Sequence, residues 1–144
     1  MNAAILTNEF PPEIYGGAGI HVKFLTQELA KLCHVEARCF GVQDEDKDNI
    51  RAIGFSRKLG LNPHDDRFQK IFKPLDINLQ WAAALDNIDV IHCHTWYSHF
   101  GGVLASRLLQ CPLILTTHSL EPHRPWKAEQ LGDGGYAMSC WIER

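Results

Sequence analysis

Short apolar segments alternate with longer amphipathic segments along most of the chain. The short segments predict β-strands, and the longer ones, in which apolar residues recur every three to four positions, predict α-helices. We expect strands at residues 3–7, 35–39, 51–55, 89–94 and 113–117, and helices at residues 19–32, 74–85 and 101–110. Because strands separated by helices pair in parallel and bury both faces, the pattern predicts an α/β fold with a Rossmann-like, doubly wound parallel sheet.

Three segments fall outside this alternation. Residues 41–49 are charged and predict a loop, and residues 56–66 combine glycine, asparagine and proline and predict a loop or an insertion. Residues 139–144 predict the start of a helix with Ser139 as its N-cap. Since the sequence stops within about two turns of that start, we expect the chain to be a truncated domain.

The composition limits the possible functions. With 144 residues, the chain is long enough for one domain with its own core. A net charge of −3 provides no positive field that would attract nucleic acid. The N-terminus lacks a basic region and no apolar run could cross a bilayer, so we expect a cytoplasmic protein without a membrane partner. The five cysteines include no C-x-x-C pair, which favours reduced thiols over disulfides or structural zinc.

A cluster of three glycines follows the first predicted strand. Gly16, Gly17 and Gly19 stand where the chain turns into a helix, so they allow a close approach of backbone N–H groups to an anion such as phosphate. The same glycines could instead serve only to start the helix. Their spacing is not that of a dinucleotide-binding G-x-G-x-x-G turn, and the chain contains no P-loop motif.

Histidines mark the ends of two predicted strands. His118 directly follows the strand at residues 113–117, and His92 and His94 share one face of the preceding strand because they are two residues apart. We expect His92 to pack in the interior and His94, which is nearer the strand end, to contact a ligand. These three histidines could also form part of a metal site, although no zinc-enzyme motif accompanies them.

The predicted loops beside the strand ends carry further candidates for sugar binding. Aromatic rings pack against sugars, which suggests Trp96 and Trp126, although a tryptophan is often simply part of the core. Arg124 and Lys127 could meet phosphate or sugar oxygens, or could be solvated surface cations. Glu9 could bind sugar hydroxyls, or could be an exposed loop carboxylate.

Residues 9–22 (EFPPEIYGGAGIHV), 89–97 (DVIHCHTWY) and 117–132 (THSLEPHRPWKAEQLG) carry a resemblance to a known family. In order and spacing they resemble the N-terminal domain of retaining glycosyltransferases of family 4, which have the GT-B fold of two facing Rossmann-like domains. The resemblance is greatest to bacterial glycogen synthases of the actinobacterial kind. It implies that residues 1–144 are the acceptor-side domain, and that a C-terminal, donor-binding domain is absent.

The resemblance also implies roles for particular residues. The residue that matches His118 lies beside the donor sugar and the reacting centre, and Gly16 and Gly17 would place N–H groups against the donor diphosphate. The reaction would transfer glucose from ADP-glucose or UDP-glucose to an α-1,4-glucan or to glucose 1-phosphate. It would need neither a metal nor a further cofactor, and we expect the chain alone to be inactive.

Two other functions agree with the same residues. The chain could be a non-catalytic sugar-binding remnant, or a metal-dependent hydrolase built on His92, His94 and His118. Bound metal would distinguish the hydrolase, and glucan binding without turnover would distinguish the remnant. In any of these functions the protein could be an oligomer.

Overall fold

One six-stranded β-sheet organises the molecule, in a computed structural model that describes residues 1–144. The strands are β1 (Asn2–Thr7), β2 (His34–Phe40), β3 (Asp44–Lys47), β4 (Ile50–Phe55), β5 (Val90–His94) and β6 (Leu113–Thr116). Their order across the sheet is β3-β4-β2-β1-β5-β6, and every neighbouring pair is parallel except β3 and β4. The predicted α/β fold with a mainly parallel sheet is therefore confirmed.

Helices cover both faces of this sheet. The α-helices are α1 (Gly17–Leu29), α2 (Gln69–Ala84), α3 (Trp96–Leu109), α4 (Ala128–Leu131) and α5 (Asp133–Ile142), and short 3-10 turns occupy Asp66–Phe68, Glu121–His123 and Pro125–Lys127. Alternate residues of β1 point to opposite faces, as a strand requires. Ala4 and Leu6 belong to the core cluster that contains residues of α2 and α3, whereas Ala3 and Ile5 belong to the cluster on the face of α1.

Trp81 of α2 is the largest fully buried side chain. Its ring lies 5.5 Å from that of Phe40 and 6.3 Å from that of Phe55, measured between ring centroids. These two phenylalanines end β2 and β4. The contacts therefore attach α2 to the half of the sheet that lies beyond β1.

The prediction of a charged loop at residues 41–49 is wrong, because this segment contains strand β3. This strand pairs antiparallel with β4 at the edge of the sheet, and Arg51 binds Asp44 across the pair at 2.6 Å. All four of its residues are exposed. An edge strand that buries no side chain carries no apolar signal in its sequence, and charged residues are common at such edges.

All three predicted helices begin earlier than expected, α1 at Gly17 and the other two by more than a turn. Helix α2 starts at Gln69, so Pro74 lies inside it rather than at its first turn, and helix α3 starts at Trp96 rather than at residue 101. In α3 the first turn is Trp-Tyr-Ser-His, whose polar and aromatic residues lack the apolar spacing that identified the rest of the helix. Most of this turn is nevertheless buried, because it packs beneath the neighbouring loops.

The predicted N-cap at Ser139 is also wrong. Ser139 lies near the end of α5, where its Oγ donates a hydrogen bond to the Tyr136 carbonyl at 2.9 Å. The helix begins instead at Asp133, after Gly132, whose φ of +75° favours glycine. None of the helices combines the length and the apolar character needed to cross a bilayer.

The sheet contains a topological switch point between β1 and β5. From β1 the chain continues to β2 and β4 on one side, whereas β5 and β6 extend the sheet on the other side. In open α/β sheets, a crevice forms at the carboxyl ends of the strands where this reversal occurs. The loops after β1, β5 and β6 are therefore the place to look for a site.

Trp81→Ala should lower the free energy of unfolding by about 3–5 kcal/mol, because it removes a large side chain from a closed interior. Trp141→Ala is the matched control: Trp141 is 63% exposed, and its replacement should change stability by no more than about 0.5 kcal/mol. Urea denaturation of this chain, followed by circular dichroism, measures both values. Equal losses for the two variants would contradict the described core.

Candidate functional site

The three strand ends at the switch point are joined by polar contacts. The Thr95 hydroxyl, after β5, donates to the Asn8 side-chain oxygen, after β1, at 3.2 Å. The Thr95 N–H donates to the Thr116 carbonyl at the end of β6. Thr95 has a φ of +66°, a strained value for a β-branched residue. The loops are thus held together as one surface.

A group of histidines forms the floor of this surface. The Nδ1 atom of His94 lies 3.0 Å from Nε2 of His118, in hydrogen-bond contact. The ring of His21, from α1, lies 5.1 Å from that of His118 and 5.6 Å from that of His94. Sequence reasoning identified His94 and His118 but missed His21. The position of His21 could have indicated it, because His21 lies one helical turn after Gly17, in the helix that starts at the β1 end of the crevice.

His92 lies outside this group. Its Nε2 atom is hydrogen bonded to the Thr116 hydroxyl at 2.8 Å, although its ring lies 4.2 Å from that of His94. The structure therefore does not bring together the set His92, His94 and His118 as metal ligands. His21 takes the place of His92.

Burial keeps His94 uncharged at neutral pH. Desolvation, with smaller contributions from neighbouring histidines, lowers the pKa of His94 to about 3. Desolvation also lowers the pKa of His99, one turn into α3, to about 4, and lowers the pKa of the more exposed His118. Neutral imidazoles can donate and accept hydrogen bonds with sugar hydroxyls or bind a metal ion. They do not provide a positive charge.

Glu9 holds the glycine loop from inside. It is buried rather than exposed, and its Oε2 atom accepts hydrogen bonds from the Gly16 N–H at 2.8 Å and the Tyr15 N–H at 3.2 Å. The Gly16 N–H is thus already bound within the protein. The first-turn N–H groups of α1, beginning with Gly17, have no partner within the helix.

The glycines of this loop have different structural requirements. A Cβ at Gly19 would lie 2.7 Å from Glu9 Oε2 and 3.0 Å from the Ile14 side chain, so only glycine fits there without a shift. A Cβ at Gly17 would meet no atom within 4 Å. Gly19 is therefore needed for the packing of Glu9, whereas the space beside Gly17 is open to a ligand.

A cavity of about 600 Å³ opens beside the residues that follow β1 and β5. Its lining consists of Asn8, Tyr15, Phe40, Arg57, Gln69, Lys70, Lys73, Pro74, Tyr97, Lys127, Gln130 and Leu131. We call this space the basic cavity, because four of these residues are cationic and none is acidic. Sequence reasoning identified only Lys127. Of the other three cations, Arg57 lies in the segment predicted as a loop or an insertion, and Lys70 and Lys73 lie in the first turns of α2, before the predicted start of that helix.

Buried Asp76 holds the segment that carries Arg57. Its carboxylate accepts hydrogen bonds from the N–H groups of Lys58 and Leu59, each at 3.1 Å, and from the Gln80 amide at 2.6 Å. Burial alone would raise the pKa of Asp76, but these hydrogen bonds outweigh it and the pKa falls below its ordinary value. Asp76 is thus a charged anchor whose partners are mainly backbone groups.

The guanidinium group of Arg57 is itself fixed by neighbours. It donates to the side-chain oxygens of Gln69 and Asn62, each at 2.7 Å, and to the Leu61 carbonyl. These bonds connect residues 57–62 to the start of α2. The segment predicted as a loop or an insertion is thus a loop without α-helix or strand, and it places Arg57 at the basic cavity.

Four of the predicted site residues line a second, smaller cavity of about 170 Å³. Glu9, Trp96, Arg124 and Lys127 all line it. Trp96 is buried and stacks on Tyr97 at 4.1 Å, so only an edge of it is available to a ligand. Arg124 binds Ser119 at 2.8 Å and Glu121 at 3.3 Å.

Trp126 lines neither of these two cavities. It is 57% exposed, as expected for a solvent-facing loop. Lys127, beside it, lines both cavities, and its Nζ donates to the Gln130 side chain at 2.6 Å.

Comparison with known proteins confirms the family resemblance. The model of Glycosyltransferase Family 4 matches residues 15–142. The chain is 43% identical over 145 residues to alpha-maltose-1-phosphate synthase of Mycolicibacterium smegmatis, and 23% identical over 170 residues to glycogen synthase of Mycobacterium tuberculosis. These alignments include all of the chain but only 35% and 40% of the two relatives, respectively. The chain thus spans well under half the length of the relatives it matches.

Solved structures agree with this fold. The chain superposes on sucrose-phosphate synthase from Thermosynechococcus elongatus with a TM-score of 0.66 at 21% identity. The superposition covers 96% of the chain and 38% of that protein. Structural neighbours of this kind support the predicted GT-B domain architecture.

Acidification should destabilise the protein through His94. Its pKa is about 3 in the folded chain against 6.5 ordinarily, so between these values only the unfolded chain binds the proton. Stability is therefore complete above pH 6.5 and is lost as the pH falls, by about 2 kcal/mol between pH 7 and pH 5. Urea denaturation at both values measures the loss.

The variant His94→Gln should show a smaller loss, because it cannot titrate. His64→Gln is the control, since His64 is exposed. An unchanged pH dependence in His94→Gln would contradict the assignment.

Proposed function

Because the chain belongs to glycosyltransferase family 4, we propose that it forms the acceptor-binding wall of a retaining glucosyltransferase. The complete enzyme transfers glucose from a nucleoside diphosphate glucose, preferentially ADP-glucose, to glucose 1-phosphate. The product is maltose 1-phosphate. The nucleotide is bound by the part of the protein beyond this chain, and the transfer needs no metal.

The observation that carries this proposal is the charge of the basic cavity. Arg57, Lys70, Lys73 and Lys127 line a space that contains no carboxylate. A phosphate group on the acceptor provides the negative charge that such a lining binds, through a planar guanidinium and flexible ammonium groups. A neutral glucan carries no negative charge that could pair with these four cations. The charge therefore favours a sugar phosphate over an α-1,4-glucan as acceptor.

The size and position of the cavity agree with this acceptor. A volume of about 600 Å³ lies within the range of small-molecule sites. Tyr97 and Asn8 line it on the side of the strand ends, where the loops after β1 and β5 meet. An acceptor whose phosphate is bound by the lysines would thus have its sugar hydroxyls within reach of Asn8 and Tyr97.

The donor would lie over the histidine group and the start of α1. The Gly17 N–H and the positive end of the helix dipole would stabilise the negative charge that develops on the departing diphosphate. His118 would hold a hydroxyl of the glucosyl group, and its hydrogen bond to His94 fixes the orientation of its ring. Glu9 would act on the donor indirectly, by holding the glycine loop.

The exposed ring of Trp126 favours a second candidate acceptor, an α-1,4-glucan. The ring is 57% exposed beside Lys127, and a sugar chain could pack against it. The relative named glycogen synthase makes this candidate relevant. Initial rates of the complete protein with glucose 1-phosphate and with a malto-oligosaccharide distinguish the two acceptors.

Lys73→Gln in the complete protein should raise the KM for glucose 1-phosphate by about tenfold to a hundredfold, the loss for a hydrogen bond to a charged group. The KM for ADP-glucose should stay within about twofold, because Lys73 is on the acceptor side. Lys58→Gln is the matched control, since Lys58 is exposed and does not line the basic cavity. Steady-state kinetics measure these constants. An unchanged KM for glucose 1-phosphate in Lys73→Gln would argue against the acceptor assignment.

Gly17→Val should lower kcat/KM by about two to three orders of magnitude, because the added side chain displaces the diphosphate from a preorganised N–H donor. The melting temperature should hardly change, since a Cβ at this position meets no atom within 4 Å. Gly19→Ala provides the contrast: its Cβ would collide with Glu9, so both stability and activity should fall. Normal turnover by Gly17→Val would contradict the assignment of the Gly17 N–H to the donor diphosphate.

A further inference from the structure

Three histidine side chains converge from three separate elements of the fold. His21 comes from the first turns of α1, His94 from the end of β5, and His118 from the loop after β6. One ring nitrogen of each lies within 4.8 Å of one ring nitrogen of both others. Such convergence from distant parts of the sequence is the geometry in which proteins hold transition metals.

The closest pair is already spaced for a metal ion. The Nδ1 atom of His94 and Nε2 of His118 are 3.0 Å apart. In a tetrahedral zinc site with Zn–N bonds of about 2.0–2.1 Å, two ligand nitrogens lie about 3.3 Å apart. An ion that replaced the proton shared by this pair would therefore need only a small separation of the two rings.

The third ligand can approach because its side chain is free to move. His21 and His118 are both exposed, whereas His94 is fully buried. Rotation of the exposed His21 ring could bring its nitrogen from at most 4.8 Å to the distance that a shared ion requires. The buried His94 would provide the fixed point of the site.

The other nearby histidine does not compete for the ion. His92 is hydrogen bonded to the Thr116 hydroxyl through Nε2, so this nitrogen is not available. A site with three imidazoles leaves a fourth position open to water, as in catalytic zinc centres. Imidazole ligands suit zinc, copper and nickel ions rather than magnesium or calcium.

We propose that His21, His94 and His118 form a binding site for one divalent transition-metal ion, best represented by Zn²⁺. The ion would occupy the floor of the crevice. If the proposed function holds, a bound ion would exclude the glucosyl group and inhibit transfer, so the site would be inhibitory rather than catalytic. Metal binding itself does not depend on that function and is tested without any activity measurement.

The test is a titration of this chain with Co²⁺ and Zn²⁺. Co²⁺ reports tetrahedral coordination by its visible absorption, and isothermal calorimetry gives the stoichiometry and Kd for Zn²⁺. We expect one ion per chain, with a Kd of about micromolar or lower. The titration uses a Cys111→Ser background, because Cys111 is the least buried thiol and thiols also bind these ions.

Two variants remove a ligand without opening the core. His21→Gln and His118→Asn alter exposed side chains, and asparagine tolerates the φ of +57° at position 118. Each should weaken Zn²⁺ binding at least about tenfold, and each should abolish the tetrahedral Co²⁺ spectrum.

The matched controls are His64→Gln and His123→Gln, which alter exposed histidines outside the group. They should bind both ions as the original chain does. The proposal is overturned by a Kd in the millimolar range, by the absence of a tetrahedral spectrum, or by equal weakening in the control variants. Inhibition of the complete enzyme by Zn²⁺ is a separate measurement, and its absence would count against the inhibitory role alone.

Discussion

The rest of the structure depends on the burial of β1 in the centre of the sheet. Residues 3–7 are all almost completely buried, and the strand pairs in parallel with β2 on one side and β5 on the other. Because these strands run parallel, their carboxyl ends lie at the same edge of the sheet. Three parts of the candidate site lie at that edge: the Glu9 loop after β1, His94 at the end of β5, and His118 after β6.

The site differs from the core in how its polar groups are stabilised. Glu9 and Asp76 are buried carboxylates that bind mainly backbone N–H groups, so each holds a loop in place. Charged hydrogen bonds of this kind are stronger than neutral ones and are costly to leave unmade. They support two walls of one crevice, the glycine loop on the proposed donor side and the Arg57 segment on the proposed acceptor side. The positions of both walls are therefore set by electrostatics as well as by apolar packing.

The floor of the crevice and the basic cavity differ in charge. Burial lowers the pKa of His94 and so keeps this side chain neutral, whereas four cations line the basic cavity. A neutral, hydrogen-bonding floor suits the hydroxyls of a sugar, and a cationic wall suits its phosphate. The same neutral floor also leaves imidazole nitrogens available for a metal ion. One arrangement thus supports both the proposed transfer and the proposed inhibition.

The sequence by itself determined the order of the five parallel strands and of helices α1 to α3, the sheet class and the family, because apolar periodicity and three contiguous motifs are local properties of the chain. It also identified His94, His118 and Lys127, which lie within or beside those motifs. Only the tertiary structure decided that His21 joins His94 and His118, that Glu9 binds the glycine loop, and that Arg57, Lys70 and Lys73 face one cavity. These contacts join residues far apart in the sequence, and periodicity carries no information about which distant side chains meet. For the same reason the edge strand β3 was missed, since it is formed by pairing with β4 and buries no side chain of its own.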